Sequence, residues 1–255
     1  VPYGSVTVAG QLTLTNHDYG VILGHTESKD AESAQLTLDQ GAVLNITGCK
    51  TIKDVGGDSS YDNGIICAGT DYFSHVDSQG DGTRGSAITT KGKGNIVTKV
   101  TVSENAQLIC EENSGAGIFS VNVELFELNI NPAAYVSLSS NGQGLCMNTD
   151  YTGAVTVDVN AATLKIEQNR SNGITGQSNP YLLNIHDNST VNVDNNGGMG
   201  VNNFFIKVAD SAFSVSGNRS HGASNVSLDA SKSTLTFNSN AYIGLNITKL
   251  NEGAD

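Results

Sequence analysis

Leu164-Lys165-Ile166-Glu167-Gln168-Asn169-Arg170-Ser171-Asn172-Gly173-Ile174 decides how the rest of the chain is read. Two apolar residues flank a polar one, an Asn follows three places after the second, and a Gly with an apolar residue comes a few places later. The phrase recurs. Leu108-x-Cys110 leads to Asn113 and Gly117-Ile118, and Val136-x-Leu138 leads to Asn141 and Gly144-Leu145. Val191-x-Val193 leads to Asn196 and Gly200-Val201, Phe213-x-Val215 to Asn218 and Gly222-Ala223, and Leu235-x-Phe237 to Asn240 and Gly244-Leu245. Near the start, Leu12-x-Leu14 with Asn16 and Gly20-Val21 is one residue short, as is Leu44-x-Ile46, with Gly48 in the Asn place. Asn113, Asn141, Asn169, Asn196, Asn218 and Asn240 are 28, 28, 27, 22 and 22 residues apart. Self-similarity at such a period marks a solenoid.

A second alternating pair precedes most phrases: Leu36/Leu38, Val100/Val102, Leu128/Ile130, Val155/Val157, Leu183/Ile185 and Val226/Leu228. A small residue often follows, as at Ala42, Ala106, Ala134 and Ala162. Strict alternation is the pattern of a half-buried strand, and no long stretch carries a helical apolar stripe. Each period therefore reads as strand, small-residue corner, strand, Asn turn and short Gly-led strand. One such coil cannot bury its apolar face alone, so stacking on its neighbours must make the core. The expected fold is all-β, a single parallel β-helix over residues 1–255 with roughly nine coils. The Asn residues are expected to take left-handed backbone angles at the turn. Their amides are expected to stack as a structural ladder at roughly the 4.8 Å strand spacing rather than to hold a ligand.

The chain has 255 residues, 38% apolar and 15% charged, with a formal net charge of −12. Its surface must be carried by Asn, Thr, Ser and Gly rather than by ion pairs. Arg occurs only at Arg84, Arg170 and Arg219. Phosphate neutralisation needs Lys and Arg, so neither nucleic acid nor an anionic membrane surface is an expected partner. No apolar run reaches the length of a membrane-spanning helix. The chain opens at Val1 and stops at Asn251-Glu-Gly-Ala-Asp255 as a fragment of a larger protein would, with no initiator Met, signal peptide or anchor.

The rhythm breaks between residues 53 and 94, which read as one coil carrying long loop-rich excursions. Loops on a rigid scaffold commonly hold binding residues, and this segment concentrates Tyr61, Tyr72, Phe73 and His75 with several Asp. Aromatic faces beside carboxylates suit carbohydrate, which makes Tyr61, Tyr72, His75, Asp77, Asp81 and Arg84 the candidate ligand-binding residues. The alternative is an irregular solvated loop. Asp77 and Asp81 could share a calcium ion, but the full loop pattern is missing, and no cofactor is expected. Cys110 stands at an inward strand place, Cys67 and Cys146 could likewise point inward, and Cys49 sits at a turn. Free buried thiols and one disulfide between neighbouring coils both fit, and the spacings match no zinc template. The Asn-x-Ser/Thr triplets at Asn45, Asn169, Asn188, Asn218, Asn225 and Asn246 are read as accidental, since two fall on the ladder.

The recurring phrase, as in Leu164 to Ile174 and Leu235 to Leu245, resembles the coils of right-handed parallel β-helix proteins of the pectate-lyase-like superfamily. It is most similar to the non-enzymatic adhesive domains of this type in large bacterial surface proteins. Phe237-Asn-Ser-Asn240 also matches the Phe-x-x-Asn repeats of chlamydial autotransporter passengers, although their Gly-Gly-Ala-Ile partner is absent. The resemblance implies a secreted or cell-wall-attached bacterial adhesin that binds host glycan, extracellular matrix or a cell-surface ligand without chemistry of its own. The alternative it implies is a polysaccharide lyase or glycoside hydrolase. The hydrolase pattern is incomplete: Asn148-Thr149-Asp150 is present, but Ser220-His221-Gly222 replaces Gly-His-Gly and there is no Asp-Asp pair or Arg-x-Lys. No catalytic or metal-binding residues are therefore assigned. Ice binding through stacked Thr fails because Asn45, Ile109, Lys165 and Asn192 interrupt the row that starts at Thr13.

Overall fold

The computed structural model describes residues 4–16, 19–23, 32–49, 63–68, 96–121, 123–148, 154–176 and 181–249. Among them there are strands and turns but no helix. The strands fall on three faces. The first face holds Gly4–Val8, Glu32–Leu38, Ile96–Val102, Leu125–Ile130, Ala154–Asn160, Tyr181–His186, Phe204–Ala209 and Ala223–Ser231. The second holds Gln11–Thr15, Val43–Thr47, Gln107–Glu111, Tyr135–Ser139, Thr163–Glu167, Thr190–Asp194, Ala212–Ser216 and Thr234–Asn238. The third holds Tyr19–Leu23, Asn63–Ala68, Ala116–Val121, Gln143–Asn148, Ile174–Gly176, Val201–Asn202 and Leu245–Lys249.

Every pairing is parallel, and a strand pairs with its counterpart one period later. That pairing fits a chain wound as a β-solenoid. Ala223–Ser231 pairs with Val201–Asn202 through Ala223 and with Phe204–Ala209 through Ser227. It thus joins the first and third faces into one 15-stranded sheet, beside the 8-stranded sheet of the second face. The period shortens from 27 to 22 residues between Asn196 and Asn218, where only Asn203 separates Val201–Asn202 from Phe204–Ala209, and it stays at 22 where Ala223–Ser231 runs on without a break.

Alternation fixes which side chains face inward. Leu44, Leu108, Val136, Leu164, Val191 and Phe213 form one inward row, and Ile46, Cys110, Leu138, Ile166, Val193 and Val215 form the next. All of them are 0–1% exposed and belong to one continuous apolar cluster from Val8 to Leu228. Burying each Leu or Ile contributes about 1.5–3 kcal/mol, and the coils share that burial with their neighbours.

The corner between the first and second faces needs a left-handed residue, filled by Gly41, Asn105, Ala133, Ala161, Asn188, Asp210 and Lys232. A small residue follows it and points inward: Ala42, Ala106, Ala134 and Ala162, then Ser189 and Ser211. The Ser residues form a ladder of their own. Ser189 Oγ accepts from Ala162 N–H at 3.2 Å, and Ser211 Oγ accepts from Ser189 N–H at 3.0 Å. This second column is not announced by the sequence phrase.

The turn between the second and third faces corrects one expectation. The left-handed residue there is not the ladder Asn but the residue before it: Glu112, Ser140, Gln168, Asn195, Gly217 and Ser239. The register also corrects the placing of Gly48. Ile46 pairs with Cys110 and Thr47 with Glu111, so Gly48, at φ 67°, matches left-handed Glu112 and Cys49 takes the Asn column. Asn16, at φ 58°, likewise occupies the left-handed place and not the ladder place. The Leu44-x-Ile46 phrase looks one residue short because Cys49 fills the Asn column.

The Gly of most phrases, Gly244 excepted, is explained by crowding. A Cβ on Gly173 would lie 2.5 Å from Val193 Cγ1, 2.7 Å from Gly200 O and 2.9 Å from Asn196 Nδ2. On Gly200 it would lie 2.4 Å from Val215 Cγ1 and 2.5 Å from Gly222 O. The backbone of each coil rests directly on the Asn column of the next, which leaves no room for a side chain.

Candidate functional site

The candidate ligand-binding residues Tyr61, Tyr72, His75, Asp77, Asp81 and Arg84 lie outside the described residues, as do Thr149 and Asp150. Only Asn63–Ala68 of the 53–94 segment is described, and it pairs with Tyr19–Leu23 and Ala116–Val121 on the third face. The winding therefore passes through this segment.

The Asn column is built as follows. Asn196 Oδ1 accepts both the backbone N–H of Asn169 at 3.1 Å and its amide at 2.9 Å. Asn196 Nδ2 donates back to Ile166 O at 3.2 Å. The same set joins Asn218 to Asn196 and Asn240 to Asn218. Asn113, Asn141, Asn169, Asn196 and Asn218 are at most 1% exposed. Their amides satisfy backbone groups that would otherwise be buried without partners, and none is available to a ligand. Arg170, just after the ladder Asn, turns its guanidinium onto the carbonyls of Ser114 and Asn113 on an earlier turn.

Polar chemistry is found on the outward rows. On the first face, His186 is held between two carboxylates: Nδ1 meets Asp187 Oδ2 at 2.7 Å and Nε2 meets Asp158 Oδ1 at 3.2 Å. Asn184 Nδ2 donates to the same Asp158 oxygen at 2.6 Å. Partial burial works to lower the His186 pKa, but the hydrogen bonds and charges of Asp187 and Asp158 outweigh it and raise the value above the ordinary one. On the second face, Glu111 Oε1 accepts from the Ser137 and Ser139 hydroxyls, each at 3.0 Å. Asp194 Oδ1 accepts from Ser216 N–H at 2.8 Å and Ser214 Oγ at 3.2 Å. Burial raises the Asp194 pKa, with the Ser216 and Ser214 bonds opposing it. Among the described residues no group of three or more His, Cys, Asp or Glu is arranged to hold a metal ion.

Cys110 is buried at an inward place, and Cys49 is buried at the turn with its N–H on Asn113 Oδ1 at 2.9 Å. Cys146 departs from its expected place. It lies between inward Leu145 and Met147 and so on the other side of the strand, beside Phe119 and Thr175, yet it is 6% exposed. Burial pushes its thiol up to about 12.

Comparison of the chain with protein-family models, with curated proteins and with solved structures returned no match.

Proposed function

We propose that the chain is a non-catalytic adhesive domain of a secreted or cell-wall-attached bacterial surface protein, binding carbohydrate or host matrix. The proposed scaffold is a right-handed parallel β-helix of the pectate-lyase-like type with roughly nine coils, the hand following the rule for crossovers between parallel strands. The observation that carries the reading is the register of the outward rows. Thr37, Thr101, Asn129, Asp158 and Asn184 stand side by side on the first face. Ser137, Lys165, Asn192, Ser214 and Thr236 do so on the second. Hydroxyls, amides and isolated carboxylates repeated at strand spacing offer donors and acceptors to a hydroxyl-rich ligand. Tyr61, Tyr72, His75, Asp77, Asp81 and Arg84 of the 53–94 segment are the proposed aromatic and charged contacts.

An oligosaccharide array and immobilised matrix proteins, probed with the purified chain, test this reading. Binding that leaves the ligand intact is expected, and shortening the 53–94 segment outside the Asn63–Ala68 strand should weaken it. Release of unsaturated or reducing ends from a polysaccharide would instead make the chain a lyase or hydrolase.

A further inference from the structure

The corner between the first and second faces changes character along the chain. In the earlier coils its left-handed place holds Gly41, Asn105, Ala133 and Ala161. In the last three it holds Asn188, Asp210 and Lys232, at φ 64°, 49° and 48°. Ala shows that no functional group is needed to make this turn, so the amide, carboxylate and ammonium groups are surplus to folding. One place into the second face, Thr190, Ala212 and Thr234 are in register. Along these coils lies a shallow, open groove of about 320 Å3, in which the short Ala212 side chain stands between two Thr.

Among the described residues, the groove's polar groups divide into those the fold occupies and those it leaves open. Ser189 and Ser211 turn their hydroxyls away, onto Val159 O at 2.8 Å and Ala209 O at 2.8 Å. The backbone N–H groups of Asn188 and Asp210 are taken by Asp210 O and Ser231 O in the coil stack. The side chains of Asn188, Thr190, Asp210, Lys232 and Thr234 make no hydrogen bond or ion pair among the described residues. Asp210 and Lys232 are neighbours along the corner, carry opposite charges, and still do not pair.

We infer that this corner groove is a second carbohydrate-binding site, taking a hydroxyl-rich, uncharged oligosaccharide laid along the axis of the winding. The inference rests on the adhesive reading above and adds a site separate from the 53–94 segment. A ligand of either charge would meet one like-charged group in the groove. A sugar hydroxyl can donate to Asp210 and accept from Lys232, and its neighbours can do both with Asn188, Thr190 and Thr234. The groove is lined mainly by polar groups, which disfavours a lipid or an apolar peptide.

The test compares four proteins on an array of neutral and charged oligosaccharides: the unaltered chain, the chain shortened within 69–94 so that the Asn63–Ala68 strand is kept, Asp210→Ala/Lys232→Ala, and Thr190→Val. Alanine already adopts this backbone conformation at Ala133 and Ala161, so the double variant should fold with an unchanged thermal midpoint. Thr190→Val serves as a second groove variant. The expected result is that neutral glycans bound by the shortened chain are bound at least tenfold more weakly by both groove variants. Groove variants that bind like the unaltered chain would overturn the site while leaving the carbohydrate reading in place. An unaltered chain that binds no oligosaccharide overturns both.

Discussion

Asn196 Oδ1 takes two hydrogens from Asn169, one from its backbone and one from its amide, at 3.1 and 2.9 Å. One side-chain oxygen thereby couples two coils at a buried point. Replacing Asn196 with Ala strands the Asn169 donors and the Ile166 carbonyl, each unsatisfied buried group costing about 1–3 kcal/mol. Chemical denaturation should show a loss of roughly 3 kcal/mol or more. Asn196→Asp is the sharper test. The carboxylate keeps the acceptor but faces Ile166 O without a donor, so burial and the carbonyl raise its folded pKa. A raised carboxylate pKa favours the protonated form, so the deficit of this variant should be largest near neutral pH and shrink as pH falls through the carboxylate range.

Gly173→Ala should also be damaging, by another route. The added methyl would press on Gly200 O, a backbone atom, at 2.7 Å and on Val193 Cγ1 at 2.5 Å. Overpacking against an immovable neighbour costs about 1–3 kcal/mol, read as a lower denaturation midpoint. An unchanged midpoint would mean the coils can separate locally, contrary to the close stacking described.

The recurring phrase made the strand order and the inward rows legible because alternation and period are properties of the chain itself. Leu164 and Ile166 read inward in the sequence and are buried in the fold. The left-handed residue before each Asn was not legible. Its place is held by Glu112, Ser140, Gln168, Asn195, Gly217 and Ser239, which share no side-chain chemistry and only a backbone angle. Cys49 hid its membership of the Asn column for a related reason: only the register with Asn113 shows it. The Ser189–Ser211 ladder and the corner groove both need coils placed side by side, and the second also needs Ala212 to be smaller than its neighbours. Neither leaves a periodic apolar signal. The Tyr61 to Arg84 segment carries only the short Gly64-Ile65 piece of the repeat, so chemical type alone marks its candidate residues.

Gln168→Gly follows from that left-handed place. Gln168 is exposed at φ 58° and makes no side-chain hydrogen bond among the described residues. A residue with a Cβ is strained in this conformation by about 1–2 kcal/mol, whereas glycine adopts it freely, offset by its larger entropy when unfolded. Gly48 and Gly217 already stand in equivalent places. The variant should be more stable by about 0.5–1 kcal/mol, seen as a rise in the thermal midpoint.

His186 gives the chain a pH dependence of definite sign. Its folded pKa is raised by Asp187 and Asp158 despite partial burial. The charged pair therefore contributes stability that is fully present below the unfolded value of about 6.5 and lost as pH rises through the folded value. Thermal midpoints at about pH 5 and about pH 8 should fall with pH more in the unaltered chain than in His186→Gln. Asp158→Asn should reduce the difference. A midpoint that rises over this range, after subtracting the variant's own trend, would show that the pair does not hold in solution.

Cys146 supplies a readout of folding at a single atom. Only the thiolate attacks an alkylating reagent, and burial holds this thiol at about 12, well above its ordinary value. At about pH 8 the thiolate fraction is then roughly 10⁻⁴, and the 6% exposure blocks approach as well. Iodoacetamide followed by mass spectrometry should leave Cys146 unmodified in the native chain and modify it fully in denaturant. Partial labelling under native conditions would place the Phe119–Cys146 side of the third face in contact with solvent. Labelling that appears in Asn196→Ala but not in Gln168→Gly would tie the opening of that face to the Asn column, since one variant breaks the column and the other leaves it intact.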